Sequence, residues 1–402
     1  MLRYLSGIQK TLKKVTTIGA GGGDTFNFAN IQQVKGLYAY VVGAFVRITG
    51  SITQTSGTDT LTVKVMRKLL KSLTVTHAEG EWCSSISGVD LCQFLLANGI
   101  MTDANLGGWM EDAALTGTSA NTVDQSFLVT FAPYWYLAGG QGRDESDLIG
   151  AIPVEALKDG GQVSFTVAAD GDLTGNFGVT SGTTYTVEVF PEVVYTNKPI
   201  TWVRTQFHAQ AAAANENTFN APGSGVRQIL SLIVGDDAWS SFTQPDTNNL
   251  IMSIDDRVVQ RLVDGSVINK FRDARATEDY DAQMEDALIL MSMLSAPGPA
   301  GLPLCRDLSV DHAHLDHGAA RYLTFTAQEP SPEQLEGDLQ PYTQAGAETG
   351  RRIDPAVAAQ VVRDYRTRAK AEGRAYRLRS NVVPANLFGQ RSLGVPLVIE
   401  AE

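Results

Sequence analysis

The chain has 402 residues, of which 43% are hydrophobic and 19% are charged, and its formal net charge is −12. This length supports two ordinary domains, and the composition excludes a disordered chain. The negative charge argues against nucleic acid as a direct partner. Because no apolar run reaches the roughly 18 residues of a membrane span, we expect a protein that folds in a cytoplasm.

The N-terminal segment, 1–18, predicts a short amphipathic helix with a basic side. Four apolar residues recur at helical spacing, Leu5, Ile8, Leu12 and Val15. The segment also holds four cations and no acid, Arg3, Lys10, Lys13 and Lys14, which leaves −16 for the rest of the chain (−12 − 4). Such a helix either packs on its own domain or lies on a membrane or partner surface. The glycine-rich run GAGGGD at 19–24 departs from a dinucleotide-binding loop and predicts a flexible hinge.

Beyond residue 25 the sequence predicts mainly β-strands. Long or alternating apolar runs occur at 37–53, 61–65, 127–138, 162–168 and 183–190. Glycine- and aspartate-rich turn signals separate them, a pattern typical of a β-sandwich. Pro133 predicts a bulge or a sheet edge within the third of these runs.

The three cysteines are Cys83, Cys92 and Cys305, and they form no closely spaced pair. An odd count argues against a disulfide framework. We therefore expect buried thiols in a reducing compartment.

The pattern of the first half begins again near residue 196. The tripeptide TFN occurs at 25–27 and recurs at 218–220, an offset of 193 positions (218 − 25). Two apolar positions of the following strand recur at the same offset, Leu37 with Leu230 and Val41 with Val234. This repeat predicts two copies of one β unit in series.

One helix is predicted in the second half, over 354–373. Asp354 provides the N-cap, Pro355 occupies the first helical position and Gly373 follows the end. We expect a packed surface helix there.

The run Asp311–His317 reads DHAHLDH and contains H-x-H-x-D-H, the spelling of the metallo-β-lactamase-like zinc hydrolases. The candidate zinc ligands are His312, His314, Asp316 and His317. No histidine follows His317, and the chain that remains up to Glu402 is too short for the rest of such a fold, so the other ligands of the site are missing. A structural role is favoured, and a zinc hydrolase remains the alternative.

A second alternative is a β-sandwich carbohydrate-binding or fibre protein. Tyr134, Trp135 and Tyr136 could form a sugar platform, although packing in the core is the favoured interpretation. No phosphate-binding loop, nucleophile elbow or Cys–His nucleophile pattern is present. We therefore expect no enzymatic activity, no metal and no cofactor.

Two segments resemble a known family. Residues 26–53, a polar lead followed by a glycine and a long strand, resemble the start of the first jelly roll in major capsid proteins of tectivirus-like phages. These are tailless, membrane-containing icosahedral bacteriophages. Residues 131–168 resemble a later part of that domain, with a D-L-x-G-A segment at Asp147–Ala151.

The resemblance implies a mainly all-β fold of two jelly-roll sandwiches in tandem, with a short N-terminal helix and helical loop insertions. The units would be a basic helix and hinge at 1–24, a first roll at 25–196 and a second roll at 197–402 with an insertion at about 354–373. The DHAHLDH stretch has no counterpart and is expected to be a loop insertion as well.

The function implied is that of a major capsid protein, a homotrimer of pseudo-hexameric outline that assembles into an icosahedral shell over an internal membrane. Its partners would be neighbouring trimers, penton and minor capsid proteins, and the viral membrane. The N-terminal cations Arg3, Lys10, Lys13 and Lys14 would face that membrane. The location implied is the virion, after synthesis in the host cytoplasm.

Overall fold

In the computed structural model the described residues are 4–8, 14–53, 60–61, 67–78, 80–97, 100, 113–114, 120–137, 145–158, 160–169, 172, 184–197, 200, 202–211, 217–220, 228–236, 248–254, 257–262, 288–292, 302–303, 308–314, 320–328, 336 and 355–371. The strands are β1 Tyr4–Ile8, β2 Lys14–Gly19, β3 Gly23–Asn27, β4 Tyr38–Thr53, β5 Thr60–Leu61, β6 Leu70–His77, β7 Gly80–Ile86, β8 Ala113–Ala114, β9 Ala120–Thr130, β10 Ile152–Pro153, β11 Gln162–Val167, β12 Thr184–Thr196, β13 Arg204–Ala211, β14 Asn217–Asn220, β15 Gln228–Asp236, β16 Asn248–Ile254, β17 Arg257–Leu262, β18 Leu288–Ser292, β19 Leu302–Pro303, β20 Leu308–His314 and β21 Ala320–Gln328. The helices are α1 Gly88–Ala97, α2 Pro133–Leu137, α3 Val154–Lys158 and α4 Pro355–Ala371, with 3₁₀ turns at Phe28–Asn30, Arg67–Leu69 and Glu145–Leu148.

Two sandwiches of the same strand order follow one another along the chain. In the first roll, with β1 and β2 counted as one interrupted strand, the sheets run β1/β2–β12–β4–β9 and β3–β11–β6–β7. In the second roll they run β13–β21–β15–β18 and β14–β20–β16–β17. When the eight long strands of each roll are numbered in chain order, both rolls have sheets of order 1-8-3-6 and 2-7-4-5. This is the jelly-roll arrangement, and the predicted fold class, two jelly rolls in tandem, is confirmed. The exact residue boundaries of the two units stay a prediction.

The repeat found in the sequence falls on equivalent strands of the two rolls. The two TFN tripeptides lie in β3 and β14, the second strand of each roll. Leu37 directly precedes β4 and Val41 lies within it, whereas Leu230 and Val234 both lie in β15; β4 and β15 are the third strands of the two rolls. The repeat in the sequence therefore connects equivalent strands of the two rolls.

The core of the first roll explains why its strands form where the pattern predicts them. Tyr185, Val187 and Val189 alternate along β12 and are all fully buried, as the spacing of two requires. The first half of β4 is apolar at consecutive positions because both of its faces are covered. Ala39 and Val41 belong to the main core, whereas neighbouring residues pack into a second cluster on the outer side of the sheet, which includes Tyr38, Tyr40, Val42, Ala132, Trp135, Leu148, Ala151, Val194 and Ile200.

The predicted N-terminal helix is wrong. The segment forms β1 and β2, which pair antiparallel with the two halves of the same long strand, β12. The described pairs of β2 reach Val189, and those of β1 begin at Glu192. The edge of β12 offers these two strands a hydrogen-bond ladder, and the β-branched run from Val15 to Ile18 suits a strand better than a helix.

The glycine run after β2 is a hydrogen-bonded turn and not the predicted hinge. The Gly22 amide donates to the Gly19 carbonyl at 2.8 Å, and the Gly21 amide donates to the Ala168 carbonyl at 3.1 Å. Gly21 has φ +74°, a conformation that glycine adopts at little cost. A Cβ on Gly23 would approach the Phe165 carbonyl oxygen to 2.7 Å, so the close packing of β3 on β11 also requires glycine.

Two further predictions have opposite outcomes. The helix predicted at 354–373 is confirmed as α4, Pro355–Ala371. The strand predicted over 127–138 ends at Thr130, and Pro133 begins helix α2 instead of forming a bulge. Proline fits the first helical position because its missing N–H would have no helical partner there.

Candidate assembly surface

The two rolls are joined by neighbouring strands in one nine-stranded sheet. The fifth strand of the first roll, β7, runs parallel to the first strand of the second roll, β13, and their one bridge joins Cys83 to Phe207. A bridge of one residue pair adds little ladder energy, so the packing around it must hold the joint. We call this contact, with the side chains around Phe207, the joint.

Buried aromatic side chains from both rolls fill the joint. Trp82, which is 1% exposed, lies with its ring centroid 5.0 Å from that of Phe131 and 6.0 Å from that of Phe207. Phe94 of α1 lies 4.9 Å from Phe207 and 5.2 Å from Phe325. Such tilted and edge-to-face pairs stabilise beyond their burial by about 0.5–1.5 kcal/mol each. The residues of both rolls belong to a single hydrophobic core.

A buried hydrogen-bond relay crosses the joint. The Trp82 indole Nε1 donates to the Thr205 hydroxyl at 3.1 Å, and that hydroxyl donates to the Phe131 carbonyl oxygen at 3.2 Å. Thr205 belongs to the second roll, whereas Trp82 and Phe131 belong to the first. Removal of one partner would leave a buried polar group unsatisfied, which typically costs about 1–3 kcal/mol.

The D-L-x-G-A segment of the family resemblance lies against this relay. Gly150 has φ +88°, and a Cβ at this position would overlap the Phe131 carbonyl oxygen and crowd Thr205. The Ala151 amide closes the turn by donating to the Leu148 carbonyl at 2.9 Å. Asp147, Leu148 and Ala151 are buried. The segment therefore packs against the joint, and the lack of room for a side chain explains why position 150 is a glycine.

Helix α1 supports both rolls. It begins with a capping box, in which the Ser87 hydroxyl accepts from the Asp90 amide at 3.1 Å and the Asp90 carboxylate accepts from the Ser87 amide at 2.7 Å. The helix packs against β6 and β9 of the first roll and against β15 and β18 of the second. This contact ties the orientation of one roll to that of the other.

The connection between the rolls is anchored at two of its described residues, Ile200 and Trp202. The Ile200 amide donates to the Tyr40 hydroxyl at 2.7 Å. Trp202 is buried, with its ring centroid 5.0 Å from His77, and the Arg204 guanidinium lies 5.5 Å from the Trp202 ring centroid. Burial, and secondarily the Arg204 charge, lower the pKa of His77 to about 4. His77 is therefore neutral at pH 7.

The four predicted membrane-facing cations are not brought together by any described contact. Arg3, Lys10 and Lys13 lie outside the described residues. Lys14 is the first residue of β2, opposite Val189 of β12. The orientation of these cations toward a membrane stays a prediction.

The DHAHLDH stretch is not the loop insertion that the sequence predicts. His312 and His314 lie in β20, the seventh strand of the second roll, and His312 pairs with Asn217 on one side and Leu250 on the other. Asp316 and His317 lie outside the described residues. Within the part of the chain that the structure describes, no group of three His, Cys, Asp or Glu residues could hold a metal ion.

A sugar platform at Tyr134–Tyr136 is wrong, because Trp135 is 1% exposed and Tyr134 is 7% exposed. Tyr134 packs in the main core, Trp135 packs in the cluster on the outer side of the sheet, and Tyr136 packs against both. The Tyr136 hydroxyl donates to a Glu192 carboxylate oxygen at 2.9 Å, and it lies so close to Gly43 that a Cβ there would clash with it.

Farther along the same face, three charges form a row across neighbouring strands. The Arg47 guanidinium of β4 donates to Asp124 of β9, and it lies 3.2 Å from the Glu188 carboxylate of β12. The bond to Arg47 lowers the pKa of Asp124, and the same bond raises the pKa of Arg47. Because Arg47 and Asp124 are exposed, the row sets surface charge and adds little to stability.

The expectation of buried thiols is confirmed for Cys83 and Cys92, which are free and buried. Burial raises the pKa of Cys92 to about 12 and also raises the pKa of Cys83. Cys305 lies outside the described residues.

No family model and no curated protein matches the sequence. The fold, however, matches solved structures of viral capsids. Against the atomic structure of Sulfolobus turreted icosahedral virus the TM-score is 0.51 at 13% identity, over 92% of this chain and 98% of that one. Against the PBCV-1 virus capsid the TM-score is 0.50 at 10% identity, over 81% of this chain and 93% of that one. The likeness shows the double jelly-roll fold, and at that level the resemblance seen in the sequence is confirmed.

The sequence did not reveal the residues of the joint. Trp82 and Phe207 are far apart along the chain, and no local sequence pattern predicts that their strands are neighbours. Two signals were present: an isolated tryptophan within a short strand, and the glycine of the D-L-x-G-A segment. The contacts of this tryptophan and this glycine become visible only when the two rolls are packed together. Among the described residues, no helix has the length and apolar character needed to cross a membrane.

Proposed function

We propose that this chain is a major capsid protein that self-assembles, as pseudo-hexameric trimers, into an icosahedral shell over an internal membrane. One observation carries the proposal: two jelly rolls of identical strand order, locked together by a buried joint. A rigid double unit of this kind suits a shell, in which each copy must present fixed surfaces to its neighbours. The solved structures that share the fold are viral capsids, which supports the proposal. The joint is filled by buried side chains of both rolls, which suits a unit whose two halves keep a fixed orientation.

Native mass spectrometry and negative-stain imaging of the purified chain test this proposal. We expect a trimer with a hexagonal outline. A protein that stays monomeric at high concentration, with no ring-like particles, would overturn it.

The membrane-facing role of Arg3, Lys10, Lys13 and Lys14 belongs to the same proposal. Each cation near an anionic bilayer contributes about 1 kcal/mol at low salt, and several copies in one particle add their effects. Since β1 and β2 are strands of the sheet, deleting them would remove a sheet edge together with the charge. The variant for the test is therefore the fourfold change of these residues to Gln.

We expect this variant to form trimers but to bind vesicles rich in anionic lipid less tightly, by a factor of ten or more at low salt. Lys35→Gln, at an exposed position in the loop before β4, is the matched control and should bind as the unmodified protein does. Unchanged vesicle binding by the fourfold variant would contradict the membrane-facing role and leave the capsid proposal intact.

A further inference from the structure

The connection between the two rolls, residues 197–203, is held on the first roll at two points. At the first, the Ile200 amide donates to the Tyr40 hydroxyl at 2.7 Å, and that hydroxyl donates to the Ile200 carbonyl oxygen at 3.4 Å. At the second, the ring of Trp202 packs edge to face against His77, the last residue of β6, with ring centroids 5.0 Å apart. The two anchors differ in chemistry, because only the second contains a group that titrates in mild acid.

Trp202 lies between a residue of the first roll and a residue of the second. His77 contacts its ring from the first roll, and the Arg204 guanidinium of β13 lies 5.5 Å from the ring centroid. A cation within about 6 Å of an indole face is attracted to it. At neutral pH the second roll therefore supplies one positive charge to Trp202, while His77 supplies an uncharged ring.

Packing holds Trp202 in place more than hydrogen bonding does. Its side chain is 4% exposed and belongs to the main core together with Val203. Within the described part of the chain, its indole Nε1 is buried without a hydrogen-bond partner. A buried donor without a partner has lost the hydrogen bond that water would provide. Release of the ring regains that bond and so offsets part of the lost burial.

The charged residues around His77 act on it unequally. Those described on the elements beside it are Glu81 of β7, Glu155 and Lys158 of α3, and Arg204 of β13. Glu79 and Lys198, which are near the contact in sequence, lie outside the described residues. Burial lowers the pKa of His77 to about 4, and the Arg204 charge adds to this effect. A cation at His77 is therefore both desolvated and repelled.

We propose that the contact between His77 and Trp202 is an acid-sensitive latch between the rolls. Protonation of His77 brings a second cation to a ring that already has Arg204 beside it, and the charged imidazole gains more from water than from this buried position. The end of β6 and residues 197–203 then part from each other. The aromatic side chains of the joint bind no proton, so the joint holds and both sandwiches keep their strands.

The size of the effect follows from the pKa of His77 in the two states. This pKa is about 4 when the contact is closed and returns to 6.5 when the imidazole is released to water. The released state therefore binds more protons between these values, and its population rises about a hundredfold between pH 7 and pH 4. The contact is fully held above pH 6.5 and weakens as the pH falls toward 4. The inference concerns one chain and does not depend on the proposed function.

Thiol labelling of the full-length protein tests the latch. Val203→Cys places a thiol at a position that is 2% exposed and adjacent to Trp202, and Cys305→Ser removes one background thiol. The native Cys83 and Cys92 are buried in the first roll and serve as internal references. The labelling rate with a pyridyl disulfide, divided by the rate for the unfolded chain at the same pH, measures the released population at each site. We expect this ratio at position 203 to rise about a hundredfold from pH 7 to pH 4, with little change at Cys83 and Cys92.

Three further variants define the cause. His77→Phe keeps a ring against Trp202 but binds no proton, so the rise at position 203 should disappear. His77→Gln is also neutral at every pH and provides the same test if the phenylalanine variant does not fold. His208→Gln removes a different histidine, on β13, and is the matched control that should keep the full rise.

Each outcome decides for or against the latch. A rise at position 203 that disappears in the neutral His77 variants supports it. The inference is overturned by a rise that persists in those variants, or by the absence of any rise. It is also overturned if Cys83 and Cys92 react in step with position 203, because the first roll would then open as a whole. Trimer formation is measured separately, so a failure of the latch leaves the capsid proposal standing.

Discussion

The fifth strands of the two rolls share one register but differ in their residues. In β7, Trp82 is buried among other aromatic rings, and a hydrogen-bond relay crosses from it to the second roll. In β17, Val259 holds the same place, because the ladder between the fourth and fifth strands skips Trp82 in the first roll and Val259 in the second. A valine has much less surface to bury than a tryptophan, so this position of β17 has less to contribute to packing.

The same strand register therefore carries two different side chains. The large aromatic one in the first roll builds the joint that holds the two rolls together as the chain folds.

The largest expected effect is at the joint itself. Trp82→Ala should lower the free energy of unfolding by about 3–5 kcal/mol, because it creates a cavity and leaves Thr205 without its donor. Val259→Ala, at the equivalent position of the second roll, should cost about 1 kcal/mol. Urea unfolding followed by fluorescence and circular dichroism measures both, and equal losses would contradict the asymmetry between the two positions.

Gly150→Ala should destabilise by about 2–4 kcal/mol. The positive φ costs about 1–2 kcal/mol for any other residue, and the added methyl group overlaps the Phe131 carbonyl oxygen beneath the joint. Gly36→Ala separates the two causes, since Gly36 has φ +83° but nothing within 4 Å of a Cβ. If both variants lose the same stability in urea unfolding, the close approach to the joint plays no part.

His77 makes the connection between the rolls, at Trp202, sensitive to acid. Its pKa is lowered from 6.5 to about 4 in the folded chain, so the unfolded chain binds more protons between these values and stability falls as the pH drops from 6.5 to 4. We expect His77→Phe, which keeps a ring against Trp202, to remove about 3 kcal/mol of the loss between pH 7 and pH 4. Unfolding free energies at both pH values measure this, and parallel curves for the two proteins would refute it.

The smallest expected effect concerns a second irregularity that only β7 has. After Cys83 its ladder with β6 shifts again, at Ser85, which has φ 53°, whereas β17 continues without a second shift. Ser85→Gly should raise stability by about 0.5 kcal/mol, because glycine adopts this φ without strain. Thermal unfolding, with the exposed Ser84→Gly as control, checks the sign, and destabilisation by Ser85→Gly would show that the backbone there is not strained.

The sequence predicted elements whose signal is local. The alternation of β12 and the helix predicted over 354–373 depend on neighbours along the chain, and both elements were found where predicted. The N-terminal segment, 1–18, shows the limit of this approach. Its apolar spacing fits a helix, but the free edge of β12, a strand that begins only at Thr184, makes it two strands. The joint could not be predicted for the same reason, because its residues meet only when two whole sheets are in place.

The position of β1 has a consequence for the order of events during synthesis. The first strand of the chain leaves the ribosome early, yet its partner β12 ends at Thr196, and the joint also needs Phe325. A fold closed by contacts so distant in sequence forms slowly. Until then the newly made segment 1–18 carries Leu5, Ile8 and Leu12 exposed to other proteins. The cations among them would keep nascent chains apart, because charged residues, lysine above all, discourage premature pairing of edge strands.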